Sequence, residues 1–209
     1  MLSTLAIPLL AYLLGSVSGS LLLGRLRGID VRQHGSGNAG GTNALRTLGW
    51  RLALGVVLID VGKGALAAGL ALWFAPAAQL HWLLPAAVLA AVAGHTWPVF
   101  HGFRGGKGAA TLVGGLAVAW PLALAVLLPV WLLAIGIGGY VGLATMLAAL
   151  SLVPLALVQG EGGPVGFALL AAGFILYTHR ANLQRMREGR ESRFERARVL
   201  ARLFGRRRA

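Results

Sequence analysis

Residues 112–158 read LVGGLAVAWPLALAVLLPVWLLAIGIGGYVGLATMLAALSLVPLALV, 47 positions without one Asp, Glu, Lys or Arg. A helix needs about 20 mainly apolar residues to cross the hydrocarbon of a bilayer. The stretch therefore demands at least two spans and has room for three short ones, with Pro121, Pro129 and the Gly136, Gly138, Gly139 cluster as expected breaks. Three more apolar runs of spanning length precede it, Leu2 to Leu23, Leu52 to Phe74 and Leu83 to Phe100, and a shorter one, Val165 to Thr178, follows. The composition agrees: of 209 residues 57% are hydrophobic and 12% charged, and the mean hydropathy is +0.74, too apolar for a soluble domain. The expected fold class is an all-α polytopic membrane protein.

Basic loops orient such a chain, because Lys and Arg stay on the cytoplasmic side. The segment Gly24 to Arg51 holds Arg25, Arg27, Arg32, Arg46 and Arg51 against Asp30, and a second loop holds Arg104 and Lys107. Ala75 to His81, between them, has no Lys or Arg and belongs outside. If the basic C-terminal tail is also inside, an even number of crossings separates it from Lys107. Four is the expectation, giving about seven transmembrane helices, some short or broken, with the N-terminus outside and the C-terminus cytoplasmic; five spans is the alternative. One domain over residues 1–209 is expected, residues 186–209 forming a basic cytoplasmic tail. Phe194, Ala197, Ala201 and Phe204 recur there at the 3,4,3 spacing of an amphipathic surface helix.

The charge balance narrows the partners. Net charge is +13, but eleven of the nineteen basic residues lie from Arg180 onward with three glutamates among them. A basic tail beside an apolar body suits the anionic headgroups of a lipid bilayer rather than nucleic acid. The start of the chain lacks the basic region of a cleavable signal. With no cysteine, thiol catalysis and disulfides are excluded. With two aspartates and one glutamate before the tail, no metal or other cofactor is expected.

The polar chemistry sits in three places. Gly35, Ser36, Gly37, Asn38, Ala39, Gly40, Gly41, Thr42 and Asn43, with Arg46 a turn later, have the makings of a phosphate cradle of converging N–H groups and small polar side chains; equally, such glycines let helices pack closely. The second loop, Gly94 to Thr111, carries His95, Arg104, Gly105, Gly106, Lys107 and Gly108, two cations among glycines that suit a phosphate oxyanion or, more simply, mark the cytoplasmic side. In the third, His179, Asn182 and Arg185 recur every three residues and would share one helix face. Asp60 and Lys63, inside the second span, are either functional or a buried pair.

Together these stretches resemble the bacterial membrane acyl-phosphate-dependent glycerol-3-phosphate acyltransferases, the PlsY family. The similarity is carried by Gly-Ser-Gly-Asn-x-Gly-x-Thr-Asn-x-x-Arg from Gly35 to Arg46, by Gly-His-x-x-Pro-x-Phe-x-x-Phe-x-Gly-Gly-Lys-Gly from Gly94 to Gly108, by Asp-x-x-Lys-Gly from Asp60 to Gly64, and by His-x-x-Asn-x-x-Arg from His179 to Arg185 leading into Gly189 and Glu191. Arg104 stands where most relatives are expected to have Lys. The resemblance implies transfer of a fatty acyl group from acyl phosphate to the 1-hydroxyl of glycerol 3-phosphate at the cytoplasmic face of the inner membrane, by a monomer. It implies Lys107, Ser36, Arg46 and His179 as catalytic residues. Gly35, Gly37, Asn38, Gly40, Thr42, Asn43, Lys63, His95, Arg104, Gly105, Gly106, Gly108, Thr111, Asn182 and Arg185 are implied in substrate binding. Acyl phosphate is already activated, so its leaving phosphate can take the hydroxyl proton; His179 and His95 are the alternative bases. The rival reading is a transporter or binding protein for a phosphorylated solute or lipid, suggested by Asp60 and Lys63 in the membrane.

Overall fold

The structure, a computed structural model, describes residues 2–160 and 163–198, and among these there is no strand. The chain divides into two compact units, Met1–Pro121 and Leu122–Ala209.

The first unit contains α1 (Leu2–Gly15), α2 (Gly19–Arg25), α3 (Gly41–Thr47), α4 (Trp50–Phe74), α5 (Leu80–Thr96) and α6 (Ala109–Ala119). The first expected span is thus two helices, bent by 41° where Ser16, Val17 and Ser18 leave the helical path. The Ser16 hydroxyl donates back to the Tyr12 carbonyl at 2.9 Å, the kind of side-chain bond that bends helices. Apolar side chains surround these helices on all sides, so periodicity cannot decide which faces meet. Small residues decide it. Gly15 lies on the Ala91 backbone and Gly94 on the Tyr12 carbonyl, joining α1 to α5. Gly64 lies on the Thr111 carbonyl and Gly114 on Val61, joining α4 to α6. In lipid, where burial against a neighbour gains little over burial in acyl chains, close backbone approach of this kind drives helix association. Ala11, Ala67, Ala71, Ala87 and Ala91 continue the seam around Leu83 and Ile7.

The second unit contains α7 (Pro121–Gly138), α8 (Val141–Leu150), α9 (Leu152–Gln159), α10 (Gly163–Thr178) and α11 (Arg180–Arg187). Pro121 opens α7, where its missing N–H leaves no helical bond unmade. Pro129, expected as a break, stays inside α7. The glycine cluster does break the chain, at Gly139.

Four helical stretches are long and apolar enough to cross a membrane, 50–74, 77–101, 121–138 and 141–159, and the bent α1–α2 pair makes a fifth. The apolar α6 and α10 are shorter, at 11 and 16 residues. A count of seven crossings therefore needs both short helices to cross, whereas length alone supports four or five. Trp50 and Trp73, at opposite ends of α4, are 65% and 85% exposed, as interfacial belts require.

The tail differs from expectation. Residues 188–194 are not helical and Glu195–Ala197 is a single 3-10 turn. The Phe194 N–H donates to the Gly139 carbonyl at 2.7 Å, and the Arg193 Nε donates to the Tyr140 hydroxyl at 2.7 Å with its guanidinium 4.9 Å from that ring. Through Arg198 the tail is tied to the α7–α8 junction instead of forming an amphipathic helix; residues 199–209 of the expected helix lie outside the described residues.

Candidate active site

The first glycine-rich loop is organised by Asn43. Its Oδ1 accepts from the Ser36 N–H at 2.9 Å, and its Nδ2 donates to the carbonyls of Val31 and His34 at 2.8 and 3.0 Å. Gly35, at φ +60°, leaves the Asn43 amide oxygen room where a Cβ would sit. Asn43 is buried and its amide is committed to the loop's own backbone, so the expected substrate ligand shapes the cradle from beneath. The side chains of Ser36 and Arg46 are exposed, those of Asn38 and Thr42 half-buried. Gly37 has φ +70° and passes over the Arg32 carbonyl, and Gly40, capping α3, sits against the Asn38 amide.

The second loop leaves α5 at Thr96 and enters α6 at Ala109. Its start is held by α1: the Tyr12 hydroxyl donates to the Trp97 carbonyl at 2.7 Å and the Val99 N–H donates to Ser16 Oγ at 3.4 Å. It then doubles back, the N–H groups of Gly105 and Gly106 donating to the carbonyls of Thr96 and His95, each at 3.1 Å. Arg104 is exposed and Lys107 half-buried. Gly108 caps α6 and packs on Val92. Thr111 is fully buried, and among the described residues its hydroxyl has no hydrogen-bond partner.

The two loops meet at Gly106. A Cβ there would collide with His95 Nε2 and crowd the Ala39 carbonyl, so the residue before Lys107 lies against both the His95 ring and the residue after Asn38. Arg32 ties them a second time. Its Nη1 donates to the His101 and Arg104 carbonyls at 3.0 and 3.3 Å, while Nε and Nη2 clasp Asp30 at 2.8–3.2 Å. The hydrogen bond from Arg32 holds the Asp30 carboxyl down to about 2, well below the usual range. Sequence reasoning counted Arg32 as a topology charge only; the Asp-x-Arg spacing was its sole signal.

Beneath the loops lies a buried polar cluster. Lys63 Nζ is 2.8 Å from Asp60 Oδ1, 2.8 Å from the Val17 carbonyl and 2.7 Å from His95 Nδ1. The Gly19 N–H donates to Asp60 Oδ1 at 3.3 Å. The break between α1 and α2 frees a carbonyl and an N–H in apolar surroundings, and this pair satisfies both. Asp60, Lys63 and His95 are 1%, 4% and 3% exposed.

The third motif belongs to the second unit. His179 Nδ1 lies 2.9 Å from the Ile175 carbonyl, which can only accept, so Nδ1 carries the proton and Nε2 the lone pair in the neutral ring. The Glu191 carboxylate takes 2.6 Å hydrogen bonds from Asn182 Nδ2 and Arg185 Nε. Asn182 packs on Gly142 of α8. His179 and Asn182 are buried and Arg185 half-buried. Of the three residues expected on one face, Asn182 and Arg185 are joined by Glu191, while His179 precedes α11; Glu191 is brought back by the turn at Glu188 and Gly189, where the N–H groups of Arg190 and Glu191 donate to the Arg185 carbonyl.

Residues 5–189 match the family model described as glycerol-3-phosphate acyltransferase. The glycerol-3-phosphate acyltransferase of Synechococcus sp. (strain CC9902) is 44% identical over 92% of this chain and 96% of its own. That of Geobacillus kaustophilus (strain HTA426) is 45% identical over 88% and 92%. Two crystal structures of PlsY (YgiH), an integral membrane glycerol 3-phosphate acyltransferase, superpose on it at 36% identity. The glycerol 3-phosphate form gives a TM-score of 0.85 over 92% of this chain and 96% of that one; the lysophosphatidic acid form gives 0.84 over 95% and 98%. This polytopic, all-helical membrane protein is a member of the glycerol-3-phosphate acyltransferase family.

Proposed function

We propose that this acyltransferase takes its acyl group from acyl phosphate and delivers it directly to the 1-hydroxyl of glycerol 3-phosphate, on the cytoplasmic face of the bacterial inner membrane. The observation that carries the reading is the apposition of two glycine-rich loops at Gly106, each with an exposed arginine that forms no ion pair among the described residues: Arg46 in one, Arg104 in the other. Two phosphorylated substrates call for two anion-holding segments, and holding them side by side supplies much of the rate by proximity and charge neutralisation. Ser36, Asn38, Thr42 and Arg46 bind phosphate, Lys107 neutralises it with Arg104 in support, and Gly35, Gly37, Gly40, Gly105 and Gly108 supply the turns and close packing by which the two loops present these side chains. To His179, Asn182 and Arg185 we assign the orientation of glycerol 3-phosphate. The hydroxyl oxygen bonds to the acyl carbon, the carbon–oxygen bond to phosphate breaks, and the hydroxyl proton leaves with the phosphate, so no protein nucleophile is consumed. The chain crosses the membrane seven times, N-terminus outside, and the basic tail faces anionic headgroups.

The test uses the purified full chain with glycerol 3-phosphate and acyl phosphate, acyl carrier protein thioester or acyl-CoA of matched chain length. Lysophosphatidic acid formed from acyl phosphate supports the reading; product from the thioesters alone overturns the donor. A covalent acyl-serine trapped on Ser36 would overturn direct transfer.

A further inference from the structure

We propose that Asp60, Lys63 and His95 are positioning residues that fix the spacing of the two glycine-rich loops and thereby the place of Lys107. The proposal rests on the reading of Lys107 as the phosphate-neutralising group and adds what holds it there.

An ammonium has three N–H donors and no acceptor. Lys63 has three partners, Asp60 Oδ1, the Val17 carbonyl and His95 Nδ1, at 2.7–2.8 Å. His95 Nδ1 accepts from this ammonium and lies 3.5 Å from Asp60 Oδ1, while the opposite edge of the ring, Nε2, abuts Gly106. Gripped at Nδ1 and abutting Gly106 at Nε2, the ring acts as a spacer between the loops. The same short segment of α4 holds both ends of the second loop. Lys63 grips His95 at the end of α5, and Gly64 takes the Thr111 backbone at the start of α6. Through Val17 and Gly19, Asp60 and Lys63 also hold the break that leads through α2 into the first loop. One buried cluster thus anchors the approach to the first loop and both ends of the second, and Lys107 follows the glycine that rests on it.

The experiment measures kcat and KM for both phosphorylated substrates with the full chain in detergent. In His95→Asn the amide oxygen retains an acceptor near Nδ1 but the far edge is gone; His95→Gln reaches the far edge but gives up the Lys63 contact. A spacer role predicts that each raises KM for at least one substrate by about 10-fold, with a smaller change in kcat. The double variant Asp60→Asn/Lys63→Met should do the same, and adding His95→Asn to it should have no further effect, since all act through one contact. A kcat loss equal to or larger than the KM rise, no change in either, or effects that multiply would each overturn the proposal. If both His95 variants lose cooperative melting, the double variant decides by the same split. Lys107→Ala separates the two readings. With Lys107→Ala inactive and the His95 variants normal, the spacer inference alone fails; with Lys107→Ala near full turnover, both fail.

Discussion

At the scale of single residues, the site divides into side chains that face outward and side chains that build the loop, and Ser36 and Asn43 sit on opposite sides of that line. Replacing Asn43 by Ala strands the buried Val31 carbonyl and removes the partner of the part-buried Ser36 N–H and His34 carbonyl, three groups now served by one buried amide. An unmet buried group costs about 1–3 kcal/mol, and the two that water can reach cost less. Asn43→Ala should therefore lower the melting temperature in detergent as well as activity, whereas Ser36→Ala, which removes an exposed hydroxyl, should lower kcat with melting unchanged. Asp30 gives a prediction in pH. Its folded pKa of about 2 lies below the unfolded value near 3.9, so the folded state favours the carboxylate. The stability it lends is complete above about pH 4 and is lost as pH falls through about 2. The melting difference between the parent and Asp30→Asn should accordingly stay constant from pH 8 to about 5 and shrink below about 4. It should be small throughout, because the pair is partly solvated. The sequence made Ser36, Arg46 and Lys107 visible through their glycine-rich settings. It did not distinguish Asn43 from them, because a ligand and a loop brace use the same amide, and only the partners tell them apart.

At the scale of elements, the spans were legible and their contacts were not. Hydropathy locates α4, α5, α7 and the α8–α9 stretch because the bilayer dictates their length, but helices apolar on every face give no stripe to read. Proline position was a partial guide: Pro121 opens a helix and Pro129 sits within one. Asp60 and Lys63 could be read as a pair from their spacing. That they serve the Val17 carbonyl and the Gly19 N–H could not, since those partners lie more than forty residues away. The α4–α6 contact tests the small-residue account. A Cβ at Gly64 would run into the Thr111 carbonyl, and neither backbone can step aside without separating the helices. Overpacking of this kind costs about 1–3 kcal/mol. Gly64→Ala should lower the melting temperature and, by shifting the start of α6, raise KM. Gly69→Ala, on the same helix with open space where the Cβ would go, should do neither.

At the scale of the whole molecule, the question with most consequence is whether α6 crosses the membrane. At 1.5 Å per residue its 11 residues span about 16 Å, roughly half of a 30 Å hydrocarbon core. If α6 nonetheless carries the chain to the outer side, its start at Ala109 lies well inside the bilayer, and Lys107 with it. A phosphate drawn that deep leaves water behind, so the cations that receive it act in a medium where each charge counts for more. Parity does not decide the matter: from Lys107 to Arg180 there are four crossings if α6 and α10 both cross and two if neither does. The α6–α7 junction does decide it, being outside in the first case and inside in the second. The chain has no cysteine, so single cysteines report without background. Cysteines at Ala78, between α4 and α5, and at Leu122, just past the junction, should both react with a membrane-impermeant maleimide added to intact cells. Gln33→Cys and Ala181→Cys should react only after permeabilisation. All four positions lie on the protein surface, and permeabilisation separates an inner site, which then reacts, from one covered by lipid, which stays silent throughout. Labelling of Leu122→Cys only after permeabilisation would return the count to five and place α6 as a helix that enters and leaves by the same face.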